Sequence, residues 1–313
     1  MKAEHGRDTR MAGPVACIGF GEAAAAFVAG WRDGGPVVVS AYDRKTDDDH
    51  AGVRDAKWAD YAALGVIGAA TPEAALGGAT LVVSLVTADQ ALAAAKAVAA
   101  HIAPGTLYVD GNSCAPGTKL AAAARIEAAG GRYVDMAVMA PVHPKRHRTP
   151  VLLSGPHVGA ALTALAALGM VAEAAPGDRA SLVGTASAIK MIRSVMMKGL
   201  EALFLECVLA GRRAGVDGIV LDSLEQTYPG FGWKERAAYQ QERVMTHGIR
   251  RAAEMREVAL TVEQLGLGGV MARAAVDWQR RVGDLRLDAK AIGADDYGKL
   301  ADAILAHLER PEV

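Results

Sequence analysis

Short apolar runs alternate with Ala-rich stretches through the first half of the chain. The runs are Val15 to Ile18, Val37 to Ala41, Leu81 to Val86, Leu107 to Val109, Tyr133 to Val138 and Val151 to Ser154. This alternation predicts βαβ units around a parallel sheet. Ala23 to Trp31, Ala88 to His101 and Pro116 to Ala129 are the crossover helices it predicts, Thr71-Pro72-Glu73 marks another helix start, and Gly130-Gly131 closes one of them. After Pro176-Gly177-Asp178 the strand pattern stops, and the rest reads as helices broken near 215–218, 229–232 and 265–269. The first of these runs from about Arg179 to Ala214, roughly 50 Å at 1.5 Å per residue, which is long for a globular helix. The expected architecture is α/β over residues 11–176 followed by an all-α domain over 177–313, led by that long helix.

A length of 313 residues also favours two cores rather than one. The composition, 51% hydrophobic and 22% charged, is that of a globular protein. A formal net charge of -1 provides no global field for nucleic acid or an anionic membrane, so any anion must be met locally. Cys17, Cys114 and Cys207 are far apart and odd in number, which argues against a disulfide framework or a zinc site and for a reducing cytoplasm. The opening MKAEHGRDTR is polar, and the apolar run behind it ends at Gly19, too short for a signal peptide or a membrane span. Met11 directly precedes the first predicted strand, so residues 1–10 read as an extension.

The first strand carries candidate chemistry. Val15-Ala-Cys-Ile-Gly19-Phe20-Gly21-Glu22-Ala23-Ala24 is a strand running through G-x-G-x-x-A into a helix, the fingerprint of a Rossmann dinucleotide site. Gly19 permits the tight turn, Gly21 lets backbone approach a pyrophosphate, Ala24 keeps helix and strand close, and the helix N-terminus faces the anion. The second strand delivers Asp43, whose carboxylate suits the ribose hydroxyls of NAD. Arg44 and Lys45 follow it and suit the 2′-phosphate of NADP, so both cofactors stay open, with NAD favoured.

The fingerprint, Val109-Asp-Gly-Asn-Ser-Cys-Ala-Pro116, Gly131-Arg-Tyr-Val-Asp-Met-Ala-Val-Met139 and the helix around Lys190 together resemble the 3-hydroxyacid dehydrogenase family, related to 6-phosphogluconate dehydrogenase. The resemblance implies that the loop of Ser84, Val86 and Thr87 passes under the nicotinamide ribose, and that Asn112 and Ser113 lie near nicotinamide and substrate. It also implies that Lys190, in Gly184-Thr-Ala-Ser-Ala-Ile-Lys190, is the general acid/base. A lysine suits that task because burial beside a cationic ring disfavours its charged form.

Two positions depart from the family pattern: Met139 replaces a substrate-binding serine, and Ser194 replaces an asparagine one turn after the lysine. The C-terminal half resembles a divergent branch with a domain of uncharacterised type. Lys190, Ser194 and Lys198 are spaced i, i+4, i+8 and share a helix face that can present two ammonium groups and a hydroxyl to one anion. His247, Arg251 and Glu254 share another, either toward substrate or as an intersubunit salt-bridge set. Pro141 to Pro150 is a basic loop containing His143, Lys145, Arg146, His147 and Arg148; it either meets an acidic substrate group or is a solvated charge run. Its two histidines have no Cys, Asp or Glu beside them, so no metal is expected. Met191, Met196 and Met197 read as core and interface packing.

The reaction this implies is NAD(P)-dependent oxidation of a hydroxyl carbon in a small, carboxylate-bearing substrate. Two alternatives stay open: an imine or keto reductase on the same scaffold, and a dinucleotide-binding protein without catalysis. Because the long helix must bury apolar residues on several sides, a homodimer is expected.

Overall fold

The computed structural model describes residues 13–308. The extension 1–10 and Met11 lie outside the described residues. Contacts divide the chain into two compact units, one ending at Lys190 and the other beginning at Met191.

The first unit is built on an eight-stranded sheet, β1 (Val15–Ile18), β2 (Val39–Tyr42), β3 (Ile67–Gly68), β4 (Leu81–Ser84), β5 (Leu107–Asp110), β6 (Arg132–Val138), β7 (Val151–Ser154) and β8 (Ala172–Ala174), in the order β3-β2-β1-β4-β5-β6-β7-β8. Strands β1 to β6 are parallel in register, so Ile18, Tyr42, Ser84 and Asp110 form one row at the C-terminal strand ends, which Asp135 continues in the middle of the longer β6. The parallel sheet expected from the βαβ pattern is present with one addition at its edge: β7 pairs antiparallel with β6, and β8 follows β7 in parallel. The reason is the basic loop, which joins β6 to β7 without a crossover helix and therefore returns the chain in the opposite direction.

Alternate residues of each strand enter opposite layers. Val15 and Cys17 of β1 share a core layer with Phe27 and Trp31 of α1 (Glu22–Arg32), Tyr61 of α2 (Ala51–Ala63) and, further along the sheet, Leu165. Ala16 and Ile18 join the opposite layer, formed with α3 (Pro72–Leu76), α4 (Ala91–Ala99) and α5 (Pro116–Ala128). A sheet covered on both faces explains why its strands read as continuous apolar runs. Thr71 caps α3 by accepting from the Ala74 N–H at 3.2 Å, as its sequence signal predicts.

Helix α6 (Val158–Ala167) leads to β8, after which strands cease. The long helix expected from Arg179 is shorter: a separate turn covers Asp178–Ser181, and α7 runs Thr185–Ala214. Gly184 makes the break, with φ +91 and its backbone packed on Pro116.

Beyond Lys190 everything is helical. The remainder of α7 is followed by α8 (Asp217–Thr227), α9 (Trp233–Gln264), α10 (Val270–Gly283), α11 (Ala289–Ile292) and α12 (Tyr297–His307). Of the three breaks expected from Gly and Pro, 229–232 and 265–269 fall between helices, and 215–218 covers the gap between α7 and α8 and the first two residues of α8. At the α8–α9 turn the Glu225 carboxylate accepts from the N–H groups of Gly230, Gly232 and Trp233, which holds that carboxyl below its ordinary range. Leu205, Val244, Leu300 and Ile304 lie in the main core of this unit, and Met191, Met255 and Val258 in a second cluster. Among the described residues no helix is long and apolar enough to cross a membrane.

Candidate functional site

Three loops lie side by side where β1, β4 and β5 end, the position at which a doubly wound sheet opens a crevice. The first is the glycine turn. Gly19 has φ +84, and a Cβ there would stand 2.6 Å from the Leu85 carbonyl oxygen and 2.7 Å from Val86 Cγ1, so only glycine fits between the loops. At Gly21 a Cβ would meet nothing within 4 Å, so the chain leaves open space beside the start of α1. Ala24 is fully buried. Backbone N–H groups at an open helix N-terminus suit a pyrophosphate, and this turn fits a dinucleotide. Glu22 and Ala23 form its first turn.

The turn is braced at Phe20, whose ring is 1% exposed and packs 5.1 Å from Tyr61. Its N–H donates to Asp43 Oδ2 at 2.8 Å, and its carbonyl accepts from Lys57 Nζ at 2.7 Å. Asp43 thus has a duty in addition to the one its position suggests. Its other oxygen accepts from the Lys45 N–H at 3.0 Å, while the Arg44 and Lys45 side chains are exposed. Lys57, which sequence reasoning missed, is a buried lysine on a helix that buries only it and Tyr61; its only signal was a position among charged residues that look solvated.

The second loop leaves Ser84, which is fully buried, and runs past Val86 to the exposed Thr87. The third contains Asn112 and Ser113. Asn112 is 2% exposed and tied to the second loop: its Oδ1 accepts from the Val86 N–H at 2.6 Å and its Nδ2 donates to Ser84 Oγ at 3.0 Å. Its carboxamide is thus turned toward the neighbouring loop and braces two loops. Ser113, one residue on, is half-buried, and its Oγ accepts from Lys190 Nζ at 2.6 Å. Two residues singled out separately, 77 apart in sequence, form one hydroxyl–ammonium pair.

Lys190 is held by the way α7 starts. Asp135, which continues the row of strand ends within β6, accepts from the Ser187 N–H at 2.9 Å, from Ser187 Oγ at 2.6 Å and from Ser154 Oγ at 3.1 Å, and Ser154 Oγ accepts from the Ala186 N–H at 2.9 Å. A carboxylate on the first N–H groups of a helix is favoured by both capping and the dipole. Lys190 follows Ser187 by three residues, one turn further along the helix.

The remaining candidates stand apart from these loops. Met139 is half-buried and its N–H pairs with the Pro150 carbonyl at 3.0 Å. His143 is exposed, but the loop after it turns onto the C-terminal end of α1: Arg146 pairs with Asp33, and His147 packs against Gly30 and Gly169. Burial first, then Arg148, hold the His147 imidazole below its ordinary pKa; Asp33 pulls it upward, and Arg146 adds a lesser downward push. Part of this loop therefore complements a helix C-terminus, a structural use the charge run does not reveal.

In the helical unit, Ser194 is buried and its Oγ accepts from Lys198 Nζ at 3.3 Å, so these two side chains share a helix face. Lys198 also lies 3.0 Å from Glu254, and Arg251 pairs with Glu201, which in turn accepts from Gln279 Nε2 at 2.7 Å. Lys198 and Arg251 are thus both paired with carboxylates between α7 and α9. His247 is half-buried on the same helix as Arg251. Among the described residues no cluster of His, Cys, Asp and Glu could hold a metal ion.

The family model described as the NAD binding domain of 6-phosphogluconate dehydrogenase matches residues 15–190, and a domain of unknown function matches 212–282. A conserved hypothetical protein from Sinorhizobium meliloti is 35% identical over 96% of this chain and 98% of its own, with a TM-score of 0.78. A second conserved protein of unknown function, described as structurally similar to 3-hydroxyacid dehydrogenases, is 28% identical over 87% of this chain and 98% of its own, TM-score 0.67. The 3-hydroxyisobutyrate dehydrogenase of Mycobacterium tuberculosis, solved with L-serine, shares the fold at 16% identity, covering 94% of this chain and 99% of its own, TM-score 0.67. No curated protein matches the chain.

Proposed function

We propose, for a chain that belongs to the family described as the NAD binding domain of 6-phosphogluconate dehydrogenase, that it is an NAD(P)-dependent oxidoreductase acting on a hydroxyl carbon of a small, carboxylate-bearing substrate. The bound nicotinamide would supply the hydride acceptor. Backbone at Gly19, Phe20 and Gly21 and the N-terminus of α1 hold the pyrophosphate, Asp43 meets the adenosine ribose, and the Ser84–Thr87 loop lies beneath the nicotinamide ribose. Lys190 takes the proton from the substrate hydroxyl as hydride leaves the same carbon, and Ser113 fixes the position of Nζ. The observation that carries this reading is the 2.6 Å bond between Lys190 and Ser113, just past the end of β5, two strands along the sheet from the dinucleotide turn after β1. Lys190→Ala tests it: turnover on an identified substrate falls by at least ~100-fold, in the range general acid/base catalysis supplies, while cofactor affinity stays. Wild-type turnover in that variant would refute the assignment.

Met139 supports a second reading, reduction of an imine or keto carbon. A thioether in place of a hydroxyl removes a donor that a carboxylate would use. Amine products in a cofactor-oxidation screen would favour this reading over alcohol oxidation.

The acting form we propose is a homodimer that associates through the helical unit. Among the described residues, fourteen of the twenty exposed large hydrophobic side chains lie beyond Lys190, including Met196 and Met197 on α7 and Val270 and Met271 on α10. Such a concentration of apolar surface marks an association face. A stable monomer by light scattering would contradict this.

A further inference from the structure

Behind the Ser113–Lys190 pair lies a fully buried charged cluster that takes no part in the proposed proton transfer. Its centre is Lys119 on α5, which is 0% exposed, as are Asp110 and Asp135. Its ammonium donates to the Asp110 carbonyl at 2.7 Å and to Asp110 Oδ1 at 2.8 Å, and forms an ion pair with Asp135 Oδ1 at 3.4 Å. Burial alone would push this ammonium toward neutrality, but Asp110, Cys114 and Asp135 more than reverse it and hold its pKa above the ordinary lysine value. Tyr133 completes the cluster by donating to Asp110 Oδ2 at 2.7 Å.

The two carboxylates that Lys119 joins each govern one half of the pair. Asp110 Oδ1 accepts from the Asn112 N–H at 3.0 Å, one residue before Ser113. Asp135 accepts from the N–H and hydroxyl of Ser187, one turn before Lys190. The path Ser113, Asn112, Asp110, Lys119, Asp135, Ser187, Lys190 is therefore a ring, closed by the 2.6 Å bond between its ends. Without the ammonium, two neighbouring buried carboxylates would repel, and one would take up a proton or move.

We propose that Lys119 is a positioning residue, which holds Asp110 and Asp135 together and so sets the distance between Ser113 and Lys190. This rests on reading Lys190 as the proton carrier, but it can fail independently of that reading. A buried ion pair that only stabilises the sheet would leave the environment of Lys190 unchanged when replaced by a neutral pair that folds. A positioning residue would not.

The test is the rate at which Lys190 is acetylated by acetic anhydride at fixed pH, measured at the peptide level by mass spectrometry against exposed lysines of the same chain. Ser113→Ala supplies the reference, because loss of a hydroxyl bonded to the ammonium frees the amine by roughly five-fold or more. Lys119→Met combined with Asp135→Asn removes one charge of each sign together, leaving the net charge of the cluster unchanged. The expected result is an increase in Lys190 labelling close to that of Ser113→Ala, with NADH affinity within about two-fold of wild type. Wild-type labelling in the folded double variant overturns the proposal. If the double variant does not fold, Ser187→Ala makes the same comparison by removing one hydroxyl from Asp135: raised labelling supports the proposal, and wild-type labelling overturns it. Raised labelling together with full turnover in Lys190→Ala keeps the positioning role and rejects the proton-transfer reading. An inactive Lys190→Ala with wild-type labelling in the double variant does the reverse.

Discussion

Replacing Asp43 by alanine separates the two duties the structure gives this carboxylate. The first is mechanical: Asp43 accepts from the N–H of Phe20, a residue 1% exposed, and from the N–H of Lys45, whose side chain is exposed. Removing it leaves the Phe20 donor buried without its partner, which costs about 1–3 kcal/mol, whereas the Lys45 donor can turn to water at little cost. For a unit of this size that lowers Tm by about 2 to 12 °C. The second duty is recognition. A charged acceptor lost from the ribose hydroxyls weakens NADH by roughly 10- to 150-fold. NADPH weakens less, because the variant loses a negative charge beside the 2′-phosphate and keeps Arg44 and Lys45. The ratio of the two dissociation constants should therefore move toward NADPH by at least about ten-fold. Fluorescence titration with both cofactors measures the ratio, and thermal denaturation the stability. Asp43→Asn keeps an oxygen for Phe20 and should recover most of the Tm without recovering NADH affinity. Equal weakening of NADH and NADPH would refute ribose recognition and leave only the brace.

Gly19→Ala forces a Cβ to within 2.6 Å of the Leu85 carbonyl at φ +84; it should abolish measurable NADH binding while circular dichroism still shows a folded chain. Glu201→Ala leaves Arg251, whose side chain is 12% exposed, without its carboxylate, and should destabilise the protein by about 3–5 kcal/mol in urea denaturation; replacing both residues with methionine should recover most of that loss. His147 has a folded-state pKa below its ordinary value of 6.5, so the unfolded chain binds the proton more readily and stability rises with pH. That contribution is complete above pH 6.5 and is lost as pH falls below it, and His147→Gln should flatten the slope of Tm against pH across that window.

Much of this fold is written in short-range pattern. All six expected strands form, because each is a run of β-branched or apolar residues inserted into a two-sided core, and the Gly and Pro breaks punctuate the helical unit where they should. The missed elements lack such a signal. Strand β3 is only two residues long, β8 is an edge strand with exposed Glu173 and Ala174, and α2 buries little beyond Lys57 and Tyr61. The site divides along the same line. The glycine turn, Asp43, Ser113 and Lys190 are legible because a local motif or a family resemblance marks them. The roles of Lys57, Lys119 and Asp135 depend on partners 37, 9 and 52 residues away in the chain, and a lysine in the sequence reads as solvated until its acceptors are known. The pairings of Lys198 and Arg251 were illegible for the same reason: the carboxylates that pair with them lie on another helix.

The central claim is that a dinucleotide lies over Gly19–Gly21 with its nicotinamide directed to the Ser113–Lys190 pair. A crystal structure with NADH bound tests this most directly. The account predicts density for the pyrophosphate at the start of α1, the adenosine ribose at Asp43, and the nicotinamide within van der Waals reach of the Ser113–Lys190 pair. A nicotinamide bound elsewhere, with other residues between its ring and Lys190, would contradict it.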